Sequence, residues 1–111
     1  MTDKRIVLTT AGSEEEARSI GRQLVEGRIA ACVNIVPRVT SIYRWKDTLE
    51  EAGEFLLIIK TTSGAFPQVR EAIAALHSYE LPECICLDVG DGSDNYLQWI
   101  DEAVSGPNPA K

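Results

Sequence analysis

His77 is the only histidine in the 111-residue chain and its sharpest candidate for chemistry. It closes a predicted helix, so its ring could cap exposed helix carbonyls or act as a metal ligand. A Ser-His-Asp or Cys-His constellation would have to use this imidazole as its base, and nothing in the sequence places Ser41 or a cysteine beside it. The chain has no nucleophile elbow, phosphate-binding glycine loop or His-Glu-x-x-His motif either. We therefore predict a protein that is not an enzyme.

The three cysteines could supply thiolate ligands for a metal. Cys84 and Cys86 share one face of a predicted strand, and this Cys-x-Cys spacing could grip a soft cation. Cysteines inside an apolar strand are more often small buried hydrophobic residues, and Cys32, which opens another apolar strand, is interpreted in the same way. Three thiols cannot all form pairs, so we expect them to stay reduced.

A group of polar side chains near strand and helix ends suggests a ligand-binding cleft. Lys60 ends a fully apolar strand, and because lysines are rarely buried alone, it should reach the sheet edge or the carboxylate of Glu80. With His77 and Tyr79, these residues could line a cleft between subunits that binds a small anionic ligand. Arg44 could contact the same anion or form an ion pair between subunits.

A long β-hairpin is the element that must position these groups. Two extended runs, residues 30–46 and 54–62, flank a polar turn. Apolar and polar residues alternate in the first run, which predicts a strand with one buried face. The second run is apolar on both faces and should lie inside a sheet covered on both sides.

The first arm of this hairpin is too long for a compact domain of this size. Its residues 31–46 would span about 50 Å at ~3.3 Å per residue, against a diameter of about 35 Å for a chain of this length. It must bend or project, and Pro37 is the natural place for a bulge. Tyr43 and Trp45 lie on the distal half, where they need cover from another chain. We therefore predict an oligomer with both residues at its interface.

The three predicted helices have apolar residues spaced three or four apart. The first begins at a capping box formed by Ser13 and Glu16, and Gly27 is placed to end it. The apolar stripes of the three helices are Ala17, Ile20, Leu24 and Val25; Phe66, Val69, Ile73 and Leu76; and Tyr96, Leu97, Ile100 and Val104.

The order of elements is β-α-β-β-α-β followed by a C-terminal helix. This is the α+β, ferredoxin-like split βαβ arrangement, with two helices on one face of an antiparallel sheet. The other sheet face would be bare in a monomer, which is a second indication of an oligomer. We expect one domain over residues 1–104 and a flexible tail over residues 105–111.

Composition limits the possible partners. A net charge of −6 argues against nucleic-acid or anionic-membrane partners, and the acidic surface could bind cations or simply be solvated. No apolar run approaches 18 residues, so no membrane span is expected. The first ten residues do not resemble a secretory signal, which predicts a cytoplasmic protein.

Five sequence blocks resemble the CutA divalent-cation tolerance proteins, and the resemblance covers nearly all of residues 5–104. The blocks are residues 30–37 (AACVNIVP), 40–45 (TSIYRW), 57–62 (LIIKTT), 76–82 (LHSYELP) and 94–100 (DNYLQWI). The resemblance implies a ferredoxin-like protomer, a homotrimer built through the long hairpins, and a link to copper and other divalent cations. It also implies a trimer shaped like the PII signalling proteins.

The copper ligands attributed to bacterial members of that family are a cysteine on the first strand and two adjacent histidines closing the second helix. The matching positions here are Thr9, Leu76 and His77, so only His77 is retained. One imidazole does not make a tight copper or zinc site.

The resemblance therefore predicts a non-enzymatic trimer associated with divalent-metal tolerance. It requires no cofactor, and binds Cu²⁺ or another divalent cation weakly or through surface carboxylates. The alternative is a PII-like sensor of a small ligand, and a purely structural assembly partner is a third possibility.

Overall fold

The computed structural model describes residues 2–105, so most of the predicted tail lies outside the described residues. The elements follow the predicted order. They are β1 (Lys4–Ala11), α1 (Glu14–Glu26), β2 (Cys32–Trp45), β3 (Thr48–Thr62), α2 (Phe66–Leu76), β4 (Ile85–Asp88) and α3 (Asp94–Ser105). The predicted α+β fold is confirmed.

The four strands form one antiparallel sheet in the order β2-β3-β1-β4. Val7 of β1 pairs with Ile59 of β3, which pairs in turn with Val33 of β2. Side chains alternate between the two faces of a strand, so these three residues share a face. That face carries the core against α1 and α2. The buried core residues are Val7, Ala11, Ala17, Ile20, Leu24, Ala30, Leu57, Ile59, Val69 and Ile73.

The opposite sheet face is only partly covered. Lys4 points to this side, because it alternates with the strand positions that face the core, and its ammonium lies 3.5 Å from Asp101 of α3. Ile85 and Leu87, which pair with β1 residues of this face, remain 49% and 45% exposed. The helix α3 therefore covers one part of this face and leaves an apolar part uncovered.

The stripe predicted for α1 is correct except at its last position. Ala17, Ile20 and Leu24 are buried, but Val25 is 40% exposed. Gly21 takes the buried place instead, because Val33 packs so closely that a β-carbon at Gly21 would lie 3.2 Å from its methyl group. Leu76 and Tyr96 were also predicted to be buried, and they are 36% and 42% exposed at the ends of their helices.

The hairpin of β2 and β3 contains the bulge predicted at Pro37. Val36 pairs with Leu56 and Val39 with Glu54, so two residues of β2 stand opposite one of β3. Arg38 adopts a φ of 63° within the bulge. The extra residue moves every later side chain of β2 to the other face. The single apolar face predicted along this arm is therefore wrong beyond residue 36.

No helix among residues 2–105 is long and apolar enough to span a membrane.

Candidate functional site

His77 is buried and both of its ring nitrogens are engaged within the protein. Its Nε2–H donates to the carbonyl of Thr10 over 2.6 Å, and its Nδ1 accepts the amide hydrogen of Tyr79 over 3.1 Å. Neutral imidazole with the hydrogen on Nε2 satisfies both bonds. The residue does occupy the C-cap position of α2, but its ring bonds strand β1 and not the helix carbonyls.

Glu16 joins the start of α1 to the end of α2. The Ser13 hydroxyl accepts the amide of Glu16, which confirms one half of the capping box. The other half is wrong: the carboxylate of Glu16 accepts the amide of Ser78 at 2.8 Å and its hydroxyl at 3.1 Å. Burial disfavours ionisation of Glu16, but the two hydrogen bonds from Ser78 and the amide of Gly12 outweigh it. The pKa of Glu16 therefore lies below its ordinary value.

A cleft of about 480 Å³ lies on the other side of the same loop. Its walls come from the distal part of the hairpin and from the loop that follows α2. The bulge makes this arrangement possible, because it puts Tyr43 and Trp45 on the same sheet face as Thr10 and Glu54. One chain therefore forms the cleft by itself.

Glu54 and Tyr79 are two of the residues that line the cleft, and they bond each other. Glu54 is 5% exposed, and its carboxylate accepts a hydrogen bond from the Tyr79 hydroxyl at 2.6 Å. Burial, that hydrogen bond and the charge of Glu54 raise the pKa of Tyr79 well above its ordinary value. Gly12 leaves room for this contact, since a β-carbon there would lie 3.0 Å from the Tyr79 hydroxyl oxygen.

Glu83 is a second, half-buried carboxylate in the cleft. Burial and the nearby charge of Glu54 raise the pKa of Glu83. No hydrogen bond or ion pair to Glu83 is found within the described chain. Arg44, the one cation among the lining residues, is exposed and likewise has no such partner in residues 2–105.

An ammonium group already lies at the rim of the cleft. The Nζ of Lys46 is 5.6 Å from the ring centroid of Trp45 and 3.7 Å from a carboxylate oxygen of Glu80. Both partners line the cleft. The Lys46 and Glu80 side chains are largely exposed, so this ion pair contributes little stability.

The predicted contact between Lys60 and Glu80 is wrong. Lys60 pairs with Ile6 of β1 and bonds the side-chain oxygen of Asn34, with the Cys32 sulfur 3.9 Å away. The cleft borders Thr10, four residues further along β1, a distance of about 13 Å at the rise of a strand. The strand register thus places Lys60 toward the other end of the sheet.

The other positions considered for metal binding do not come together in the described structure. Thr9 is fully buried with an unpartnered hydroxyl, whereas Leu76 is 36% exposed. Cys84 and Cys86 pack against the core half-buried, and burial raises the pKa of both thiols. No group of three His, Cys, Asp or Glu side chains within residues 2–105 could hold a metal ion.

Of the candidate ligand residues, Arg44, Tyr79 and Glu80 line the cleft, as do Tyr43 and Trp45, which were predicted at a subunit interface. Glu54, Glu83 and Lys46 also belong to the cleft or its rim, and they were not predicted from the sequence. Glu54 gave one usable signal, since it is a charged residue placed directly before the apolar run of β3.

The family model for "CutA1 divalent ion tolerance protein" matches residues 5–103. The "Divalent-cation tolerance protein CutA" of Thermus thermophilus is 50% identical over 99 residues, which cover 89% of this chain and 96% of that protein.

Two crystal structures are similar in fold. CutA from Xylella fastidiosa superposes with a TM-score of 0.92 and 36% identity, covering 94% of this chain and all of the other. A protein from Archaeoglobus fulgidus described as a periplasmic divalent cation tolerance protein CutA has a TM-score of 0.89 and 40% identity, covering 92% of this chain and 99% of its own.

Proposed function

This chain belongs to the CutA1 divalent ion tolerance protein family, and we propose that it contributes to tolerance of divalent cations such as Cu²⁺ without catalysing a reaction. The family match over residues 5–103 is the observation that carries this proposal. It requires no resident cofactor, because the metal ion is what the protein responds to. We place the protein in the cytoplasm, although the Archaeoglobus relative is described as periplasmic.

The proposal puts the cation at Glu54 and Glu83. These two carboxylates lie near each other in the cleft, and the charge of one acts on the pKa of the other. Two carboxylates supply too few ligands for a tight site, so binding is weak. His77 suits the role less well, because metal binding would cost it the hydrogen bond at one of its ring nitrogens.

Calorimetric titration with Cu²⁺, repeated with Zn²⁺, tests direct binding. We expect weak heats that Glu83→Gln diminishes and that the matched control Glu71→Gln, on the exposed side of α2, leaves unchanged. The His77→Ala variant should retain them if it remains folded by circular dichroism. No binding heat from the folded wild-type protein would refute direct binding. If only the folded His77→Ala variant lost the heat, the metal site would be at His77.

The proposal also includes a homotrimer. Its support is the uncovered apolar sheet face with Ile85 and Leu87, together with the long hairpin. Tyr43 and Trp45, which line the cleft of their own chain, are still proposed as interface residues through their exposed edges. Light scattering after size-exclusion chromatography should give three times the protomer mass, and Leu87→Lys should reduce it. A monomeric wild type would contradict this part.

A second candidate function is small-ligand binding like that of a PII-type sensor. The cleft of about 480 Å³, with its buried carboxylate and aromatic walls, is the observation that favours it. A thermal-shift screen of metabolites tests it. Stabilisation by an organic ligand and not by metals would favour this candidate over the first.

A further inference from the structure

The rim of the cleft shows which chemistry its walls can recognise. Lys46 places an ammonium 5.6 Å from the centre of the Trp45 ring and 3.7 Å from the Glu80 carboxylate. Aromatic faces are widely used to bind organic ammonium ions, and a carboxylate beside the ring adds charge attraction. The Lys46 ammonium therefore occupies the position that a free organic ammonium ion would take against Trp45 and Glu80.

Two more carboxylates line the cleft, and neither has a cationic partner among residues 2–105. Glu54 has its contact with the neutral Tyr79 hydroxyl, and Glu83 has no hydrogen bond or ion pair in the described part of the chain. With Glu80 balanced by Lys46, the one remaining cation at the walls is Arg44, which is exposed. The interior is therefore negative, and removing carboxylates from water without a counter-charge is costly. A cation that entered the cleft would relieve that cost.

The remaining walls are aromatic and apolar, and such surfaces favour an organic cation over a bare metal ion. Tyr43, Trp45 and Tyr79 supply ring surfaces, and Leu81 adds an aliphatic one. A bare divalent ion gains nothing from such surfaces, because it needs several oxygen, nitrogen or sulfur ligands around it. A cation with carbon substituents is attracted to the aromatic rings by the cation–π interaction, and it also buries its apolar surface against the aromatic and aliphatic walls.

We infer that the cleft binds a small organic ammonium ion, with its charge at Glu54 and Glu83 and its carbon groups against Tyr43 and Trp45. This inference depends on the second candidate function, a cleft for a small ligand, and names the ligand class. The ammonium of Lys46 competes for the rim, so an amine that enters would displace it from Glu80.

A pair of probes with one shape and two charges tests this inference. Choline carries a quaternary ammonium, and 3,3-dimethylbutan-1-ol is its uncharged counterpart with carbon in place of nitrogen. Titrations followed by NMR shifts and by tryptophan fluorescence should give choline at least about tenfold tighter binding than the alcohol. Acetate serves as the anionic probe and should not bind.

Variants of this chain locate the site. Glu83→Gln keeps the shape of the side chain and should weaken choline binding about tenfold, whereas Glu71→Gln removes a charge elsewhere and should change nothing. Tyr43→Leu should weaken binding of choline more than that of the alcohol. Lys46→Ala should tighten choline binding about twofold, since it removes an exposed competing ion pair.

Each possible outcome decides between the proposals. Equal affinity for choline and the alcohol would overturn the ammonium assignment and leave a cleft for small apolar ligands. Binding of acetate in place of choline would overturn it in favour of an anion at Arg44. Silence from all three probes, with folded protein, would overturn the ammonium assignment, whereas the small-ligand function would fail only if the thermal-shift screen were silent as well. Metal binding is measured separately by the Cu²⁺ titration, so its failure is distinguishable from these results.

Discussion

The carboxylates on the two sides of the loop after α2 differ in how well their charges are stabilised. On one side, Glu16 accepts two hydrogen bonds from Ser78, and the His77 ring bonds a carbonyl of β1 and the amide of Tyr79. On the other side, Glu54 and Glu83 share a cleft with little compensation. The pKa of Glu16 is lowered and that of Glu83 is raised, although both are glutamates near the same short loop. Satisfied polar groups stabilise the fold, and unsatisfied ones mark where a ligand could add its charge.

Among the substitutions that test this difference, His77→Ala should lower the free energy of unfolding most. It leaves the Thr10 carbonyl and the Tyr79 amide without partners and opens a cavity, so unfolding should become easier by about 3 kcal/mol. Urea unfolding at one fixed protein concentration measures this. The neighbouring Leu76→Ala, at an exposed position, is the matched control and should cost less than about 1 kcal/mol. Equal losses in the two variants would contradict a structural role for the His77 ring.

Glu16→Ala should have the second largest effect. It should lower the free energy of unfolding by about 2 kcal/mol, because it removes two hydrogen bonds to Ser78. Glu15→Ala removes a charge from the same first turn of α1 but should cost about 0.5 kcal/mol, because only the helix dipole is affected. The same unfolding experiment compares them. Similar losses would show that Glu16 acts through the dipole alone.

The pH dependence of stability should separate the two sides of the loop. The pKa of Glu16 lies below its ordinary value of 4.5, so its stabilisation is complete above pH 4.5 and is lost as the pH falls through the folded-state pKa. The stability difference between wild type and Glu16→Gln should therefore shrink below pH 4.5. A difference that stays constant to pH 3 would refute the ionic contribution of Glu16.

Glu83→Gln should have the smallest effect on stability, and it should stabilise the protein where the other substitutions destabilise it. The fold raises the pKa of this carboxyl above its ordinary value of 4.5, so its ionised form destabilises the protein at neutral pH. Replacing it should raise the free energy of unfolding by less than about 1 kcal/mol at pH 7. The gain should disappear below pH 4.5. A loss of stability at pH 7 would show that Glu83 has a favourable partner.

Local patterns predicted the elements well, and the resemblance predicted the family, which the comparisons confirm. The cap at Ser13, the end of α1 at Gly27 and the bulge at Pro37 all agree with the structure. Each depends on residues close together in the chain. The cleft could not be predicted in the same way, because Tyr79 meets Glu54 across 25 positions and Lys46 meets Glu80 across a larger gap.

The sequence by itself determined the order of strands and helices, the length of the hairpin and most of the apolar stripes on the helices. These follow from the period of apolar residues and from capping groups, which act over a few positions. The tertiary structure alone decided which polar groups meet. One extra residue at the bulge turned Tyr43 and Trp45 to the face of Glu54, and the register of β1 with β3 kept Lys60 away. Register and face depend on partners far along the chain, so the site exists only once the sheet is formed.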